Sequence, residues 1–161
     1  MANILSPQEI LRIAVKVEER GENLYAALEA KSTDDKLKKI WKYLKEQEEN
    51  HRQIFQNMLE KVGDYIVYEF SPGEYEAYLK AISSQYIFTQ ELIDKKTKEL
   101  FTSDEEAIDF AIGVEKDSIL TYTTLRGYVL SEKQPVLDKV IDEEKRHFAQ
   151  LVSFKAELKE G

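Results

Sequence analysis

The sequence of 161 residues contains no cysteine. That absence excludes a disulfide framework, a thiolate zinc site, a rubredoxin-type iron site and a thiol nucleophile. Proline and glycine are scarce, at three and six residues, which disfavours turn-rich β architectures and suits long helices. No basic block offsets the formal net charge of −8 and the pI near 5.0. The counterion-release term that drives nucleic-acid binding is therefore missing, and nucleic acid is not an expected partner. No stretch approaches the ~18 apolar residues of a membrane span. The segment Met1 to Pro7 has neither the basic part nor the apolar run of a signal peptide. A cytoplasmic protein with no membrane partner is expected. Histidine is nearly absent too, with only two residues.

What is present is charge and aliphatic bulk. Charged residues make up 34% of the chain, and Glu, Lys, Leu, Ala and Ile dominate, the composition of an all-α protein. A chain of this length buries a sizeable core without staples, so a single domain over 1–161 is expected. Ser6-Pro7-Gln8-Glu9 is a helix start with a capping Ser, a Pro at the first helical position and a Glu that closes a capping box. This first helix should run to about residue 31, with Leu11, Ala14, Glu18, Gly21, Tyr25 and Leu28 on its inward row. A second begins near Ser32 to Asp35 and ends at Gly63, its inward row reading Leu37, Ile40, Leu44, Glu48, His51, Phe55, Met58 and Val62.

Residues 63–102 break the pattern. An extended piece over 64–70 and one or two short helices between about 74 and 99 are expected, and the whole segment carries eight of the seventeen aromatic residues. So many aromatics point to packing along the bundle or into a subunit contact, and burial against the chain's own bundle is the simpler reading. Ser103-Asp104-Glu105-Glu106 opens a third long helix with a capping box. Its inward row is Ile108, Ala111, Glu115, Ser118, Tyr122 and Leu125. After a break at Ser131 to Pro135, the last helix places Val136, Val140, Glu144, His147, Leu151, Phe154 and Leu158 inward.

Each histidine is preceded by a Glu three residues earlier, Glu48 before His51 and Glu144 before His147. On a helix that spacing stacks carboxylate and imidazole on one face, within reach of one metal ion or one ion pair. With Glu at 22 of 161 positions, both matches arise by chance only about one time in fifty, so the motif is treated as a signal rather than as solvated surface. The halves also repeat. Ala14-Val15-Lys16-Val17-Glu18 matches Ala111-Ile112-Gly113-Val114-Glu115 in kind, and each lone Glu has a Tyr seven residues later. Each half is thus a helix pair, 6–62 and 103–159, delivering one lone Glu and one Glu-x-x-His, joined by a crossover over 63–102.

Four carboxylates in apolar rows would converge in a low-dielectric core, where isolated charges are costly and carboxylates repel. Two divalent cations balance them, and two imidazoles complete an oxygen and nitrogen environment that suits iron or manganese, with zinc or cobalt as possible substitutes. The candidate ligands are Glu18, Glu48, His51, Glu115, Glu144 and His147. Gly21, which lowers helix stability by about 0.8–1 kcal/mol relative to Ala, sits one turn from Glu18, with Ser118 in the matching place. Both leave space beside the ions, although close helix packing would also account for Gly21. Tyr25 and Tyr122 are placed to orient ligand carboxylates, or else are plain core. Glu19, Glu22, Glu49 and Glu143 fall off the inward rows and read as solvated surface, and Trp41 as core or interface.

These residues resemble the rubrerythrin branch of the ferritin-like di-iron carboxylate proteins, whose bundles place a lone Glu on two helices and a Glu-x-x-His on the other two. The resemblance covers the four long helices and six ligand positions. It implies a ferritin-like four-helix bundle with a long crossover between helices 2 and 3, and two iron ions. It also implies an oxidoreductase that reduces hydrogen peroxide or dioxygen, and a homodimer. The chain departs from the family twice. It has no cysteine-ligated rubredoxin domain, so electrons would come from an external donor protein such as a rubredoxin. Ser118 stands where the family usually carries an extra ligand Glu. A ferroxidase or iron-handling role of ferritin type, and a non-catalytic metal-binding interaction bundle, are the alternatives.

Overall fold

The computed structural model describes residues 7–61, 94–95, 101, 103–126, 131–132 and 134–160. They form four helices, α1 (Pro7–Lys31), α2 (Asp35–Lys61), α3 (Asp104–Arg126) and α4 (Gln134–Glu160). No strand occurs among the described residues, and none of their helices is long and apolar enough to cross a membrane. The expected extended piece, the short helices and the aromatic packing of the crossover lie outside the described residues, as do Val62 and Gly63 at the end of α2.

Local chemistry sets the helix starts. Asp34 Oδ1 accepts a hydrogen bond from the backbone N–H of Leu37 at 2.8 Å, and Ser103 Oγ accepts one from that of Glu106 at 3.1 Å. Each satisfies a donor that the first turn leaves free. Only three residues separate α1 from α2, so the two helices turn back on each other and pack along their lengths. Helices α3 and α4 pair in the same way, and α1 touches α3 across the bundle.

Two apolar clusters fill the ends. One holds Leu24, Tyr25 and Leu28 from the end of α1, Leu37, Trp41 and Leu44 from the start of α2, Ile108 and Ala111 from the start of α3, and Leu151 and Phe154 from the end of α4. The other holds Leu11 and Ala14, Phe55, Tyr122 and Leu125, and Leu137 and Val140 from the opposite ends. Each fully buried aliphatic side chain contributes roughly 1.5–3 kcal/mol. The pairing of ends makes α2 parallel to α3 and antiparallel to α4. The chain leaving α2 at one end must therefore enter α3 at the other, which requires a connection the length of the bundle, about 40 Å for helices of this size. That geometry accounts for the long crossover.

The inward rows hold with exceptions near the bundle ends. Ile40, Met58 and Val136 are half-buried, and Leu158, expected inward, is 39% exposed. It lies one turn past Phe154, the last buried residue of α4. Trp41 is core.

Candidate metal centre

Between the two apolar clusters lies a polar layer. Helix α1 places Glu18 in it, α2 places Glu48 and His51, α3 places Glu115, and α4 places Glu144 and His147, all of them at 2% exposure or less. In each helix the inward row that is apolar at its ends becomes polar for one turn in the middle, so the four polar turns meet at one level of the bundle. Glu18, Glu48, His51 and Glu144 offer ligand atoms within 4.8 Å of one another, and so do Glu48, Glu115, Glu144 and His147. Glu48 and Glu144 belong to both groups. The arrangement is a pair of adjoining four-residue cages with two shared carboxylates.

The atoms facing inward have no conventional partner. Among the described residues, the buried side-chain polar atoms without a hydrogen bond are Glu18 Oε2, Glu48 Oε1, His51 Nδ1, Glu115 Oε2, Glu144 Oε1 and Oε2, and His147 Nδ1. All belong to the same six residues. His51 Nδ1 lies 2.9 Å from Glu144 Oε1 and 3.5 Å from Glu18 Oε2. His147 Nδ1 is 3.8 Å from both Glu48 Oε1 and Glu115 Oε2. The two imidazoles stack with centroids 5.8 Å apart. Buried polar atoms are almost always satisfied in folded proteins, and each exception needs a cause. Here the orphaned set consists of carboxylate oxygens and imidazole nitrogens aimed at common points, the donor set of a divalent transition metal. The residues present fit two such ions.

Electrostatics agree. Burial, and then repulsion from Glu144 and Glu18, raises the Glu48 carboxyl well above its usual range. Burial and Glu144 do the same to Glu115, and burial and Glu18 raise Glu144. For His51 burial would favour the neutral ring, but Glu144 and Glu18 outweigh it and push the value up to about 11. Burial dominates at His147, which is lowered. The layer carries more negative charge than its surroundings can hold, and cations would relieve it.

The outer atoms are held by the opposite half. Tyr25 on α1 donates its hydroxyl to Glu115 Oε1 on α3. Tyr122 on α3 donates to Glu18 Oε1 on α1 at 2.5 Å. Each lone glutamate therefore has one oxygen fixed and the other turned inward. Both phenols are raised by burial and then by the carboxylates they face, so they stay protonated donors. Trp41 stacks on Tyr25 at 5.9 Å and Phe55 leans on Tyr122 at 5.7 Å. Gly21 has a definite reason: a Cβ there would lie 2.6 Å from Glu48 Oε2. It makes room for a shared carboxylate. Ser118 is buried and bonds to its own helix at Val114 O, 3.1 Å away.

Two off-row glutamates are not solvated surface. Glu22 pairs with Arg52 Nε at 2.6 Å, tying α1 to α2. Glu143 reaches His51 Nε2 across the bundle, its side chain only 21% exposed. The row pattern misplaced it because a residue beside Glu144 points to the edge of the α4 face, and only the approach of α2 turns that edge into an interior. Glu19 and Glu49 are exposed.

The sequence matches the model of the family described as Rubrerythrin over residues 9–155. In structure the chain is similar to a Thermotoga maritima protein described as ferritin-like and diiron-carboxylate. The TM-score is 0.67 and the identity 29%, over 98% of this chain and 99% of that one. The four-helix bundle is thus ferritin-like. No curated protein matches the sequence.

Proposed function

The chain belongs to the rubrerythrin family, and from that premise we propose that it is a di-iron carboxylate oxidoreductase. Its substrate would be hydrogen peroxide or dioxygen, and its electrons would come from an external donor protein. The observation that carries this reading is the orphaned set: every buried side-chain polar atom without a hydrogen bond among the described residues lies on Glu18, Glu48, His51, Glu115, Glu144 or His147.

Those six residues would hold two iron ions, with Glu48 and Glu144 shared, Glu18 and His51 on one side, and Glu115 and His147 on the other. When bound, such a pair supplies two electrons and Lewis acidity to the oxidant. The protein's own contribution is placement. Tyr25 and Tyr122 hold one oxygen of each lone glutamate, and Gly21 leaves Glu48 free to take up its position. The apolar clusters on either side limit water and keep the local dielectric low. Reduction of hydrogen peroxide to two waters consumes two electrons and two protons. These 161 residues hold no cysteine to ligate a rubredoxin-type iron, so in this reading the electrons would come from an external donor.

The test is metal analysis of protein loaded anaerobically with ferrous iron, followed by stopped-flow spectroscopy against peroxide and against dioxygen. Two irons per chain, oxidised by peroxide faster than by dioxygen, support a peroxide reductase. Faster oxidation by dioxygen with turnover of added ferrous iron would replace it with a ferroxidase. Absence of stoichiometric iron would overturn both.

A further inference from the structure

The two halves of the centre share the lone glutamate with its crossed tyrosine and the Glu-x-x-His pair, but they differ at the outer nitrogens of the histidines. His51 Nε2 meets the carboxylate of Glu143. Glu143 immediately precedes Glu144 on α4. The corresponding residue of the first half, immediately preceding Glu48 on α2, is Gln47, a neutral amide. Among the described residues no carboxylate pairs with His147 through its Nε2, and the ring instead meets the edge of Tyr43 at 6.2 Å. Arg146 Nη2 stands 3.8 Å from the other oxygen of Glu143, but its side chain is 69% exposed and solvent screens most of its charge.

A carboxylate on the distal nitrogen of a ligating imidazole fixes its tautomer and orientation and raises its basicity, and loss of such a partner lowers metal affinity by about 10–100-fold. An amide can accept the same hydrogen bond but brings no charge. We infer that the two metal positions are unequal, the one built on Glu18 and His51 filling first because Glu143 backs His51 while Gln47 stands at the matching place in the other half. This rests on the proposal that the six residues bind two ions. Glu143 is then a positioning residue, acting on the ion only through His51.

The test is a titration of the metal-free, full-length protein with cobalt(II), followed by calorimetry and by the visible bands that report each ion's coordination. Wild type should take up two ions in two steps separated by about 10–100-fold in affinity. His51→Ala should remove the first step and His147→Ala the second. Glu143→Gln, which keeps the shape and removes only the charge, should draw the two steps together. Gln47→Glu should tighten the second step, a gain that a merely structural role could not produce. Two ions bound at one affinity, the reverse assignment of steps, or a separation unchanged in Glu143→Gln would overturn the inequality while leaving the two-ion centre standing. Failure of the wild type to bind any ion would overturn the centre itself.

Discussion

In the first helix pair the lone glutamate is Glu18, and the tyrosine that holds it, Tyr122, comes from the second pair; in the second pair Glu115 is held by Tyr25 from the first. Each half therefore completes the other. They part company at His51 and His147. The first lies against Glu143 and is driven toward its charged form by Glu144 and Glu18, while burial drives the second toward its neutral form. The space beside the lone glutamates differs as well, since Gly21 accommodates Glu48 whereas Ser118 bonds back to its own helix. A repeat that builds a symmetric set of ligands thus sits in surroundings that are not symmetric, because the repeat governs what lies on each inward row and not what flanks it.

The strongest way to break the comparison is to remove a shared carboxylate. Glu144→Gln should abolish uptake of both ions, measured as metal per chain, whereas Glu18→Gln should leave the Glu115 and His147 position able to bind one.

Removing the metal should come next in size. At a free metal concentration a hundredfold above Kd, each site adds about 2.7 kcal/mol of stability, or about 5–10 °C in Tm for a chain of this length. That difference should widen between about pH 5 and pH 8. Glu48, Glu115 and Glu144 keep their protons to higher pH in the folded metal-free protein than in the unfolded chain, so their contribution falls as pH rises above 4.5. His51 acts with the same sign, its contribution whole below 6.5 and lost as pH rises through about 11. His147, lowered, works the other way and only as pH falls below 6.5. Bound cations replace the carboxyl protons, so the loaded protein escapes the loss. Melting curves of both forms across this range check it, and a constant or shrinking gap would contradict it.

Gly21→Ala sharpens the difference between the halves. The new Cβ would displace the Glu48 carboxylate, so metal affinity should fall by about 10–100-fold, and in the metal-free protein the same displacement offsets the helix-propensity gain of about 0.8–1 kcal/mol. Ser118→Ala should leave affinity nearly unchanged. The most even effects on the two halves are expected from Tyr25→Phe and Tyr122→Phe. Each removes one hydrogen bond to a carboxylate, worth about 1.5–3 kcal/mol, and each should weaken the position whose lone glutamate it held. Cobalt titrations that find both phenols acting on the same position would contradict the crossed arrangement.

How far the site was legible depends on the distance over which each part is defined. Glu48 with His51, and Glu144 with His147, are local patterns one turn long, and the apolar rows that carry them are local as well. Sequence by itself therefore determined the helical class, the middle of each inward row and the six residues that meet, because helical periodicity assigns a face to each residue without reference to any other helix. Tertiary structure alone decided the rest. Tyr25 with Glu115, Tyr122 with Glu18, and Glu143 with His51 join residues about ninety or more positions apart, and Gly21 finds its reason only in a side chain of the neighbouring helix. The flank of a helix becomes interior or surface according to how near the next helix comes, and that distance is set by packing across the bundle rather than by the order of residues along it.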